Sequence, residues 1–113
     1  MKRISTHVLD IARGRPAQDI PVRLERQETT GWKLLSSART DHDGRCAQLL
    51  PENEALIPGT YRIGFDTAAY FDTHKVQGLY PQVEIMLYVR DEEHTFHIPL
   101  LLSPNGYTTY RGS

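Results

Sequence analysis

Val83-Glu84-Ile85-Met86-Leu87-Tyr88-Val89 is the stretch on which the fold turns. In an extended chain Val83, Ile85, Leu87 and Val89 fall on one side, and Glu84, Met86 and Tyr88 on the other. That alternation is the pattern of a strand with one buried face. Moving toward the C-terminus, Arg90-Asp91-Glu92-Glu93 reads as a charged turn, followed by strands over residues 94–102 and 107–111. Moving the other way, Leu79-Tyr80-Pro81 is a stop. Before it, Thr67 is placed to cap a short helix through Ala68, Ala69, Tyr70 and Phe71.

The remaining chain repeats the strand-and-turn pattern. Residues 59–66 put Tyr61, Ile63 and Phe65 on one face, and residues 51–58 form a loop before them. A short strand is expected over residues 46–50, an Asp-Gly turn over 41–45 and a strand over 32–40. Residues 28–31 have hairpin length. Residues 21–27 set Val22 and Leu24 against Arg23 and Glu25. Residues 14–17 form a turn, and residues 4–11 set Ile4, Thr6 and Val8 against Ser5, His7 and Leu9. About eight strands with regular turns and one short helix predict an all-β, two-sheet sandwich. No repeat or linker divides residues 1–113, so a single domain is expected.

Composition narrows the function. Thirteen basic residues against fourteen acidic ones give a net charge of −1, which offers no footprint for nucleic acid. No apolar run approaches membrane-spanning length and no signal segment opens the chain, so a soluble, cytoplasmic protein is expected. Cys46 is the single cysteine. It permits neither an internal disulfide nor a cysteine-based zinc site; Arg45 beside it could lower its pKa slightly, but no motif activates it and a small strand residue is the better reading.

Five histidines are separated by geometry. His94 and His97 point to opposite faces of a strand, which argues against a His-x-x-His metal pair. His42 sits in a turn and His74 at the helix end, both read as solvated. His7 and His97 lie inside strands among apolar residues. Each alone reads as a half-buried histidine with a satisfied hydrogen bond. Together they can orient or deprotonate a water, provided their strands are neighbours. Arg45, after the Asp-Gly turn, is either a solvated arginine or a charged fork for a planar polar or anionic ligand. Arg111 carries the same two readings.

Three motifs together resemble the transthyretin-like family, and within it the 5-hydroxyisourate hydrolases. They are Thr6-His7-Val8-Leu9-Asp10 with Gly14-Arg15-Pro16-Ala17; Thr40-Asp41-His42-Asp43-Gly44-Arg45; and His97-Ile98-Pro99-Leu100-Leu101-Leu102-Ser103-Pro104 through Tyr110-Arg111-Gly112-Ser113. The terminal tetrapeptide separates the family's hydrolases from its hormone carriers. Leu79 and Thr108 depart from the family's usual residues, at positions outside its site. The resemblance implies a prealbumin-like sandwich that assembles as a homotetramer, a dimer of dimers, with active sites in the channel between dimers. It implies ring opening of 5-hydroxyisourate in urate degradation by water activated at a histidine, with no metal or other cofactor. The catalytic residues it implies are His7, Arg45, His97 and Ser113, supported by Tyr110, Arg111 and Gly112. Either histidine can be the base. Extension of the chain past Ser113 is expected to harm catalysis more than folding. Two other readings stand beside this one: a carrier using the same channel for a planar apolar ligand, and a zinc protein using His7 and His97.

Overall fold

The computed structural model describes residues 2–113. Val83–Val89 is a strand whose Val83 and Val89 are buried while Glu84, Met86 and Tyr88 are exposed. In chain order the elements are β1 (Arg3–Asp10), β2 (Arg15–Pro16), β3 (Pro21–Glu28), β4 (Gly31–Arg39), β5 (Arg45–Cys46), β6 (Gly59–Phe65), α1 (Thr67–Thr73), β7 (Val83–Val89), β8 (Thr95–Ser103) and β9 (Gly106–Thr109). They form two sheets. One runs β4-β3-β6-β7; the other runs β2-β1-β8-β9, with β5 also paired to β1.

Alternation places the core between the sheets. Ile4 and Val8 of β1 and Phe96, Ile98, Leu100 and Leu102 of β8 meet Val22, Leu24, Tyr61, Ile63, Phe65 and Val83 of the opposite sheet in one buried cluster. Burying each large apolar side chain contributes roughly 1.5–3 kcal/mol. Tyr61 is fully buried, yet its hydroxyl donates to the Ile57 carbonyl at 2.8 Å, so its polar end is satisfied. Among the described residues no helix is long and apolar enough to cross a membrane.

Four local expectations need correction. Residues 14–17 are not only a turn, because Arg15 and Pro16 pair with Asp10 and Leu9 as β2. The strand expected over residues 46–50 shrinks to Arg45–Cys46. Leu49 and Leu50 are buried by other means: the Leu49 amide donates to Ile4 and its carbonyl accepts from the Ser36 hydroxyl. The helix cap is Asp66, whose carboxylate accepts from the Ala69 amide at 3.1 Å. Thr67 is fully buried, with its hydroxyl turned to the Tyr80 carbonyl. Finally, β9 ends at Thr109, and the chain then turns back so that Gly112 bridges His97.

One pairing positions everything that follows. β1 and β8 lie parallel, with Ser5 opposite His97 and His7 opposite Pro99. The two histidine-bearing strands are therefore neighbours, and their inward alternation sends both histidines to the outer face of the sheet.

Candidate active site

His7 reaches the outer face because Thr6 and Val8 on either side of it are core residues. Its Nε2 lies 2.8 Å from the Asp43 carbonyl. A carbonyl only accepts, so Nε2 carries the hydrogen and the neutral ring has its lone pair on Nδ1.

Arg45 stands directly opposite His7, since β5 pairs with β1 through His7↔Arg45 and Thr6↔Cys46. The turn before it is built tightly. Asp41 accepts at one carboxylate oxygen from the amides of both Asp43 and Arg45, each at 2.9 Å. These amides are the chief reason its carboxyl is held below the usual range. Gly44 has φ +77°, and its carbonyl accepts from the Val8 amide at 2.7 Å. A Cβ there would collide with the Val8 carbonyl, so glycine is required. Among the described residues Arg45 makes no ion pair through its guanidinium.

His97 is half-buried on the same face. Its Nδ1 lies 2.9 Å from the Ser5 hydroxyl on the facing strand. Burial, followed by the nearby His7 and Arg45, pushes its pKa below the usual 6.5, so the ring stays neutral at neutral pH. The Gly112 amide donates to the His97 carbonyl at 2.7 Å. A Cβ on Gly112 would lie 2.6 Å from His97 Cδ2, so the tail presses against the imidazole with no room for a side chain. Arg111 points away from this face. It donates to Glu93 at 2.9 Å and to the Thr95 carbonyl at 3.1 Å, and it stacks over Phe96 at 4.5 Å. Tyr110 and Ser113 are exposed on either side of this anchor.

The structure thus brings His7, Arg45 and His97 to one patch of one sheet face and lays Gly112 against it. It leaves the other candidates outside. His94 and His42 are exposed, and His74 caps α1 and packs on Tyr70 at 4.6 Å rather than standing in solvent. Cys46 faces the core, where burial raises its pKa to about 11, as suits a small buried strand residue with no activating neighbour. Sequence reasoning passed over Ser5 as a partner of His97. The signal was present, because alternation puts Ser5 on the His7 face, but the partner strand was not known.

The β-sandwich thus sets two imidazoles on one open sheet face beside a guanidinium that makes no ion pair among the described residues. The sequence matches the HIUase/Transthyretin family over residues 4–112, and the chain belongs to that family. It is 46% identical to the 5-hydroxyisourate hydrolase of Mus musculus, over 97% of this chain and 94% of that protein. It is 41% identical to that of Salmonella dublin, over 97% of this chain and 80% of that protein. Among solved structures, the 5-hydroxyisourate hydrolase of Klebsiella pneumoniae superposes with a TM-score of 0.87 at 33% identity, covering 100% of both chains. Transthyretin from Sparus aurata superposes with a TM-score of 0.90 at 27% identity, covering 99% of this chain and 97% of that one. Because both kinds of protein share the fold, the side chains on the outer face must choose between them.

Proposed function

We propose that this chain is a hydrolase that opens the six-membered ring of 5-hydroxyisourate to 2-oxo-4-hydroxy-4-carboxy-5-ureidoimidazoline, a step of urate degradation. The observation that carries this reading is the convergence of His7, Arg45 and His97, with Gly112 laid on His97. An apolar carrier site would gain nothing from desolvating these groups.

Water adds to the carbonyl of the ring amide, and an imidazole takes its proton. The tetrahedral oxyanion then expels the ring nitrogen, which takes that proton back, leaving a ureido group and a carboxylic acid that releases its remaining proton to solvent. His97 is the base in this reading, because its lowered pKa leaves it unprotonated when substrate arrives. Ser5 holds its Nδ1 and so fixes the ring orientation. Arg45, which pairs with no carboxylate among the described residues, faces the developing oxyanion. His7 is held by the Asp43 carbonyl of the turn that precedes Arg45 and orients the substrate. Ser113, next to the Gly112 bridge, positions the water or a substrate N–H.

The same reading includes assembly. β7 and β9 end their sheets and carry exposed Met86, Tyr88 and Tyr107. Pairing of such edges between copies extends both sheets and gives a dimer of dimers. A lone buried thiol suits the reducing cytoplasm.

An ultraviolet time course of freshly generated 5-hydroxyisourate tests the activity against its spontaneous decay. The parent is expected to accelerate the decay and His97→Ala to lose roughly 10²–10⁴-fold of that acceleration. A folded parent that leaves the buffer rate unchanged would remove the hydrolase reading.

A further inference from the structure

We propose that Glu93, in the turn between β7 and β8, is a positioning residue for the active site, acting through Arg111 on the tail that closes over His97. The inference rests on the hydrolase reading for its effect on rate, but the coupling it names is structural and can be measured without substrate.

Glu93 is bonded to neither His7, Arg45, His97 nor Ser113 among the described residues. One carboxylate oxygen accepts from the Arg90 amide at 3.0 Å and so ties the side chain to its own turn. The Glu93 amide returns a bond to the Arg90 carbonyl, and Glu92 turns the chain with φ +71°. The second carboxylate oxygen accepts from Arg111 Nη1 at 2.9 Å. Each oxygen therefore has a separate task, and the turn becomes a fixed post for the tail.

Arg111 is held at that post on three sides: by Glu93, by the Thr95 carbonyl and by the Phe96 ring. Planar guanidinium geometry matches this combination, and an ammonium would not reproduce it. The next residue makes the Gly112–His97 bridge, and Ser113 follows. The segment from Tyr110 onward lies outside any strand apart from that single bridge. One backbone hydrogen bond is a weak hold on a chain end. The Glu93–Arg111 pair is the contact that sets where the bridge falls. Burial is not the reason for the pair: Glu93 keeps 26% of its side chain exposed and Arg111 52%. An exposed pair of this kind adds little to global stability, which is the signature expected of a positioning contact.

The test is a double-mutant cycle of Glu93→Gln and Ser113→Ala, read by kcat and KM, with the Gly112 amide followed by hydrogen exchange. Glu93→Gln is expected to leave Tm within a few degrees, to weaken Gly112 amide protection about tenfold or more, and to lower kcat about tenfold with a smaller change in KM. In the Ser113→Ala background the same substitution is expected to cost little more, because the group it positions is gone. Glu93→Asp, which withdraws the carboxylate by one methylene, is expected to fall between parent and Glu93→Gln. Unchanged Gly112 protection in Glu93→Gln would overturn the proposal. So would an equal loss of kcat in both backgrounds, since Glu93 would then act by another route. If the parent has no activity, the hydrolase reading fails while Gly112 protection still decides the coupling.

Discussion

Arg45 and Arg62 sit on opposite outer faces of the sandwich and are held in opposite ways. Arg62, on β6, donates to Glu25 at 2.9 Å and lies over the Trp32 ring at 4.1 Å. Glu25 also pairs with Arg23, and Arg23 with Glu84 at 2.6 Å. That face is a closed ladder in which each charge is answered by a neighbour. Arg45 is fixed through its backbone by Asp41, and its guanidinium is left unanswered beside two histidines. The difference separates charge used for holding a sheet from charge kept for a ligand. A guanidinium paired with a carboxylate has its charge already answered and offers less to an anionic ligand.

The largest effect should come from breaking the open face. Arg45→Ala is expected to lower kcat/KM by roughly 10²–10³-fold, the usual loss when an oxyanion donor is removed. It should also let the His97 pKa rise toward its usual value, because one of the cations that lowers it has gone. An NMR titration of the His97 ring reads this directly, and an unmoved titration would break the link between the two residues.

A smaller effect is expected from the closed face. Glu25→Gln removes the shared acceptor of Arg23 and Arg62 and should cost about 1–3 kcal/mol in urea unfolding, with kcat/KM unchanged. The pH dependence distinguishes the faces further. Glu25 is held below its usual 4.5, chiefly by the hydrogen bond from Arg62. Its contribution is present above the unfolded-state value and is lost as pH falls through the lower folded value. His97, with its pKa held below the usual 6.5, contributes in the same direction at higher pH. The unfolded chain takes up a proton near 6.5 while the native ring does not, so stability declines as pH falls from there to the folded value. Acid unfolding should therefore show two limbs, with Glu25→Gln weakening only the lower one.

The smallest effect is expected from Glu84→Ala. Its carboxylate is exposed at the ladder's end, and its loss should cost about 0.2–1 kcal/mol, less in high salt. A larger cost in a urea titration would mean that the ladder works as one unit and that its end is as important as its centre.

Most of the sandwich was legible from alternation alone, because a sheet with one wet face writes its register into every second residue. The same alternation put Ser5, His7 and Leu9 on one face and identified the strands of both site histidines. It could not say that β1 and β8 are parallel neighbours, since pairing partners leave no mark on periodicity. Ser5 and Glu93 escaped for that reason: each matters through a residue far away in the chain. Asp66 and Thr67 were both capable of capping α1, and the Tyr80 carbonyl decided between them by claiming the threonine hydroxyl. The two-residue β5 was read as a longer strand because Leu49 and Leu50 are apolar, yet they are buried by side-chain packing and isolated hydrogen bonds.

The parallel β1–β8 contact also sets a schedule for synthesis. Ser5 and His97 meet across 92 residues of sequence. At ordinary elongation rates β1 leaves the ribosome roughly 5–20 s before β8 can reach it. Through that interval β1 has only the two-residue strands β2 and β5 to pair with, and the edge that β8 will take stays open. No product truncated before His97 can acquire the histidine pair, so the appearance of turnover during translation would report that β8 has reached β1.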